Sequence, residues 1–158
     1  MTKKTVSKKP LDVTVDKVIN APAGRLYDMV ADVTRMGEWS PETTHAEWVA
    51  GATAPAVGAR FKGTNVAGPN TWSTKPTVTI AEPGSTFAFK VPGGSGPTWT
   101  YTFEPAANGG TRVVESMTQA KRSPLFIRLL QRRAGIVDRE ADLRENMTTT
   151  LDNLAQAV

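Results

Sequence analysis

The sequence predicts an α+β fold: an antiparallel sheet of seven strands wrapped around a long C-terminal helix, with two short helices between the first strand and the second. Two observations carry this. From Arg139 onward, Leu143, Met147, Leu151, Leu154 and Val158 recur at steps of four, four, three and four, which sets them on one helical face. Between His45 and Gln119 the chain reads as strand and turn, and strands joined by short turns form an antiparallel meander. A one-sided helix needs a broad apolar surface, and the block of strands supplies it.

In chain order, Asp12–Asn20 alternates, with Val13, Val15 and Ile19 on one side and Lys17 interrupting. Pro22 falls in the first turn of a short helix whose buried side carries Leu26, Tyr27 and Val30. Asp32 is placed to cap a second one, Val33–Met36, which Gly37 is expected to end. Strands follow at His45–Val49, Arg60–Val66, Thr71–Ala81, Thr86–Val91, around Trp99–Phe103 and at Thr111–Gln119. Within the third of these six, Trp72, Val78 and Ile80 are read on one face. Pro92–Pro97 is a glycine-rich connection, and Asn108-Gly109-Gly110 a tight turn. Extending the helical wheel backward from Arg139 puts Phe126, Leu129, Arg133, Ile136 and Glu140 on the stripe, a phase that Gly135 can break.

Composition excludes several kinds of chemistry. With 158 residues the chain reads as a basic arm, residues 1–10, followed by one domain over 11–158. The absence of cysteine rules out disulfides, thiol catalysis and thiolate metal sites. One histidine, His45, rules out clustered-imidazole metal sites, and no metal or cofactor is expected. No nucleophile elbow or catalytic triad accompanies His45, which reads as a surface residue. The glycines at 93–96 lack the helix and lysine of a phosphate loop. Lys3, Lys4, Lys8 and Lys9 account for the whole net charge of +4, so the body is near neutral and no nucleic-acid face is expected on it. No apolar run reaches membrane-spanning length and no signal peptide is evident, so the expected location is the cytoplasm.

Several motifs then resemble a known family. They are Val18-Ile-Asn-Ala-Pro-Ala, Asp32-Val-Thr-Arg-Met-Gly-Glu-Trp-Ser-Pro-Glu42, Val57-Gly-Ala-Arg-Phe-Lys-Gly-Thr-Asn65, Trp72-Ser-Thr, Phe87-Ala-Phe, Gly110-Thr-Arg-Val-Val-Glu-Ser116 and Thr150-Leu-Asp-Asn-Leu154. With the order of elements, they resemble the helix-grip fold of the START-related, birch-pollen-allergen-like superfamily (SRPBCC), in its bacterial polyketide cyclase/dehydrase-like branch, over about residues 12–156. The resemblance implies a seven-stranded curved sheet gripping the helix, with an apolar cavity between them. Members bind lipids, sterols, polyketides or plant hormones, and a minority catalyse cyclisation or dehydration of polyketides.

Alternating aromatics usually fill a core; the resemblance turns the same residues into the walls of a cavity. The expected ligand-binding set is Trp39, Phe61, Asn65, Trp72, Phe87, Phe89, Trp99, Tyr101, Leu143 and Met147, with Trp39 and the 92–97 loop near the rim. Tyr101, Glu115 and Glu140 are the candidates for proton transfer, since a carboxyl buried against apolar walls becomes a general acid. The plainer reading of each carboxylate is a solvated or paired group, and the helix-centre Glu140 is expected to be solvated. Residues 121–133 (KRSPLFIRLLQRR) carry five basic residues and no acid around apolar ones, which suits an anionic membrane surface or simply the start of a helix over the cavity. The leading expectation is a carrier for a small hydrophobic molecule, lipid, sterol or polyketide-like, as a monomer or dimer. The alternatives are a polyketide aromatase/cyclase or dehydratase-like enzyme, and a regulator that binds partners through its basic surface.

Overall fold

In the computed structural model, which describes residues 10–158 except Ala134, Ile136 and Val137, eight strands form one antiparallel sheet. They are β1 (Asp12–Ile19), β2 (Thr43–Val49), β3 (Arg60–Ala67), β4 (Asn70–Thr74), β5 (Thr77–Glu82), β6 (Thr86–Lys90), β7 (Thr98–Pro105) and β8 (Thr111–Thr118). Helix α1 (Ala23–Ala31) and a 3-10 helix (Val33–Glu38) lie between β1 and β2, and α2 (Leu125–Arg133) and α3 (Arg139–Ala157) close the chain. The lysine-rich arm lies, Pro10 aside, outside the described residues, as does Ile136.

The sheet runs in the order β1-β8-β7-β6-β5-β3-β2, which makes a seven-strand path. β4 lies off it, paired to β3. Here the expectation needs correcting: Thr71–Ala81 is two strands rather than one. Pro76 has no N–H to give a ladder, and the chain breaks there. β3 pairs with β4 through Gly63–Ala67 and with the start of β5 through Arg60. Trp72, Val78 and Ile80 therefore do not share a face. Val78 is buried, whereas Trp72 and Ile80 are exposed, and a register shift separates Val78 from Ile80.

α3 is the helix in the grip. It starts where the periodicity places it, with Asp138 as N-cap accepting from the Ala141 N–H at 3.1 Å. Leu143, Met147, Leu151 and Leu154 are all buried against the sheet, each contributing about 1.5–3 kcal/mol. Two polar contacts tie its outer side to β1: Arg144 donates to the Thr14 carbonyl at 3.0 Å, and Lys17 meets Asp152 at 3.0 Å. The wheel does not continue upstream. Gly135 adopts a positive φ, α2 is a separate helix, and its Phe126 and Leu129 point to solvent.

At the α1 end of the sheet the core is solid. α1 sends Leu26, Tyr27 and Val30 inward, and Tyr27 meets Phe87 and Phe103 edge-on at 6.3 and 5.9 Å. Asp32 caps the 3-10 helix through Thr34, as its sequence position suggests. Gly37 does not end that helix, which runs on to Glu38. Its role is steric: a Cβ there would overlap the Thr44 carbonyl oxygen of β2.

Candidate functional site

At the other end of the grip the same layers part around a cavity of about 740 Å3. The register explains its lining. On β8 the inward positions are Val113, Glu115 and Met117, and Glu115 pairs across the sheet with Val15 on β1 and Tyr101 on β7. Tyr101 pairs in turn with Phe87 on β6, and Trp99 with Phe89. Phe61 of β3 meets Phe89 edge-on at 5.1 Å and completes an aromatic wall. α3 supplies the facing wall with Leu143, Asn146, Met147 and Thr150; the next turn, from Leu151, is in solid core. The rim is built from Trp72, from Ile127 and Leu130 of α2, and from the 92–97 loop. Gln119 pins that loop through the Ser95 carbonyl at 2.8 Å, and Asn70 holds α2 by donating to the Leu130 carbonyl at 3.2 Å.

Of the residues expected from sequence, Phe61, Asn65, Trp72, Phe89, Trp99, Tyr101, Leu143 and Met147 stand in the cavity lining. Trp39 and Phe87 do not. Trp39 is buried beneath Arg35, whose guanidinium lies 4.9 Å from its ring, and its carbonyl accepts from Asn153. Phe87 belongs to the solid core with Tyr27. Among the proton-transfer candidates, Tyr101 and Glu115 come together and Glu140 drops out. Glu140 is at the solvated start of α3, its side chain 45 % exposed and 3.9 Å from Arg144. His45 is exposed on β2.

Two polar groupings interrupt the apolar wall. The first is deep: the Tyr101 hydroxyl donates to Glu115 Oε1 at 2.8 Å, and Glu115 Oε2, also buried, has no partner among the described residues. Burial pushes the Glu115 carboxyl up to about 8, and the Tyr101 hydrogen bond, a smaller effect, pulls the other way. The Tyr101 hydroxyl is raised as well, first by burial and then by the neighbouring carboxylate.

The second grouping sits where α3 begins. Arg139 makes two hydrogen bonds to Glu42, one to Asp142 at 2.6 Å, and Asn146 donates to Glu42 at 3.3 Å. Burial alone would lower the Arg139 pKa; the two carboxylates outweigh it and hold the guanidinium charged. Next to them, Thr43 donates to Asn65 Oδ1 at 2.7 Å. Sequence reasoning missed Arg139, Asn146, Thr43 and Met117. The available signals were Glu42 at the end of the Met36–Glu42 motif and, for Met117, the strand face it shares with Val113 and Glu115. Among the described residues no three carboxylates or imidazoles cluster as a metal site would need, and no helix is long and apolar enough to cross a membrane.

A curved antiparallel sheet gripping a C-terminal helix around an apolar cavity defines a helix-grip protein of the SRPBCC type. The chain belongs to the family described as polyketide cyclase / dehydrase and lipid transport, which it matches over residues 10–158. The polyketide cyclase-like protein Cgl2372 from Corynebacterium glutamicum is 31 % identical, with 96 % of this chain and 90 % of that one covered and a TM-score of 0.58. TTHA0849 from Thermus thermophilus shares the fold at 22 % identity and a TM-score of 0.70, over 92 % of this chain and 95 % of that one. Ms6760 from Mycobacterium smegmatis shares it at 19 % identity and a TM-score of 0.61, over 93 % and 90 %. No curated protein matches the sequence.

Proposed function

We propose that the chain binds a small hydrophobic ligand, a lipid or polyketide-like molecule, between sheet and α3, and acts as its carrier. The observation that carries this reading is the cavity itself. About 740 Å3 is left open between aromatic strands and a helix whose next turn packs solidly, and that volume suits a small organic molecule. The lining is mostly apolar with a few fixed polar groups, so burial supplies affinity and the polar groups supply orientation.

The outer face of α2 supports a source for such a ligand. Leu125, Phe126 and Leu129 are exposed, Phe126 by 64 %, while Ile127 and Leu130 of the same helix border the cavity. Arg122, Arg132 and Arg133 accompany them with no acid between. An apolar face amid arginines matches an anionic bilayer, from which α2 would admit a lipid.

Native mass spectrometry of protein purified from its own host, with organic extraction of any adduct, tests the carrier reading. A discrete apolar adduct is expected, recovered chemically unchanged after incubation. Protein that carries no adduct and whose tryptophan fluorescence is unmoved by apolar probes would overturn it. Conversion of the bound compound would favour a cyclase or dehydratase.

A further inference from the structure

We propose that Glu115, held by Tyr101, is a fixed hydrogen-bonding anchor in the cavity wall, and that it selects apolar ligands bearing a carbonyl oxygen. This rests on the binding reading above and names the ligand chemistry of that same site.

The argument starts from position. Glu115 occupies an inward site on β8 between Val113 and Met117, where both neighbours on that face are apolar. Nothing in the strand requires a carboxyl: its backbone is paired on both sides, with β1 and β7. The group has two oxygens. Oε1 accepts from the Tyr101 hydroxyl at 2.8 Å, which fixes the plane of the carboxyl. Oε2 is buried with no partner among the described residues, although the side chain belongs to the cavity lining. A buried polar atom is costly to leave unpaired, and a leucine would fill the same place without that cost. A ligand seated against this part of the wall supplies the missing partner.

Protonation decides which partner. Around neutrality burial keeps the carboxyl in its neutral form, with a pKa of about 8. Oε1 is already an acceptor, so the proton belongs on Oε2, which becomes a donor aimed at an acceptor such as a ketone. Among the described residues, the other charged groups of the cavity lining are committed elsewhere. Arg139 of α3 and Glu42 before β2 bind each other; outside the lining, Lys17 of β1 binds Asp152. Tyr101 is the titratable group in direct contact. The anchor thus stands between the apolar side chains of Val113 and Met117, where one hydrogen bond discriminates strongly between otherwise similar ligands.

A matched pair of probes tests this: 2-acetylnaphthalene and 2-ethylnaphthalene, nearly equal in shape and differing in the carbonyl oxygen. Dissociation constants are measured by tryptophan quenching at pH 6.5. The ketone is expected to bind about tenfold more tightly. Glu115→Gln, whose amide N–H also donates, keeps a preference for the ketone; Glu115→Leu, checked for folding by near-ultraviolet circular dichroism, removes it. Raising the pH above 8 removes it in the wild type. Equal affinity of the two probes for the wild-type protein would overturn the anchor while leaving the cavity reading intact. A ketone preference that survives in Glu115→Leu would do the same. Failure of both probes to bind would take down both readings.

Discussion

Arg139 and Glu42 are joined across 97 positions of sequence by two hydrogen bonds, of 2.7 and 3.0 Å, that lock the first residue of α3 to the segment entering β2. Both side chains are largely shielded, 17 % and 16 % exposed, so the pair works in a medium less screening than bulk water. Removing the arginine strands the Glu42 carboxylate beside the cavity with the Asn146 amide as its remaining partner among the described residues. Arg139→Met is expected to cost about 2–3 kcal/mol, read as a shift of the urea midpoint with unchanged slope. A loss under about 0.5 kcal/mol would show that the contact is no more than a surface pair.

The Glu115 carboxyl makes stability depend on pH in an unusual direction. Its pKa is near 4.5 when unfolded and about 8 when folded, so the folded state holds the proton more tightly. Below 4.5 both states are protonated and nothing is lost. As pH rises from 4.5 to 8 the unfolded chain ionises first, and stability falls; above 8 the loss is complete and constant. Urea unfolding from pH 5 to pH 9 should show this decline, and Glu115→Gln should flatten it. A wild-type profile that rises over that window would contradict the buried, neutral carboxyl.

Successive turns of α3 should respond differently to truncation. Leu151→Ala removes a buried side chain that does not border the cavity and is expected to cost about 2–5 kcal/mol. Met147 has open space along one flank, so Met147→Ala should cost about 1–2 kcal/mol less. Thermal unfolding of the two variants compares them directly, and equal costs would mean the cavity collapses around residue 147.

The exposed face of α2 separates surface binding from folding. Replacing Leu125, Phe126 and Leu129 by serine should cost no more than about 0.5 kcal/mol of stability at each position. Co-sedimentation with vesicles of phosphatidylglycerol should nevertheless fall severalfold. Equal sedimentation of variant and wild type would remove the membrane from the picture.

How much of this was legible in the sequence follows from the range of each interaction. The stripe from Leu143 to Leu154 is local, and the helix read from it starts at Arg139 as α3 does. Alternation on β3, β6 and β7 likewise brought Phe61, Phe89, Trp99 and Tyr101 to one side, because a period of two needs no partner to be read. Phe87 shares its neighbours' alternation but falls in solid packing, because position along the curved sheet, which periodicity does not encode, separates core from cavity. Trp39 is off the sheet, at the end of the 3-10 helix, and its burial under Arg35 is a local contact that its residue type does not announce. The Arg139–Glu42 contact and the isolation of Glu115 Oε2 depend on strands and helices meeting from opposite ends of the chain. Gly37 was read as a helix stop from residue type alone; its neighbour Thr44 is a crossing that only the folded chain reveals. Pro76 was a visible signal, and its missing N–H was enough to split the expected strand.

The side branch formed by β4 has an evolutionary consequence. β4 hangs from β3 outside the main path of the sheet and, mostly exposed, puts Trp72 at the rim without carrying any of the core. Insertions, deletions and changes of side-chain size between residues 67 and 74 can therefore alter the shape of the entrance while the seven-strand frame keeps its register. Selection for a new ligand can act on one hairpin and selection for foldability on the rest, so closely related chains can share a frame and differ in what they admit.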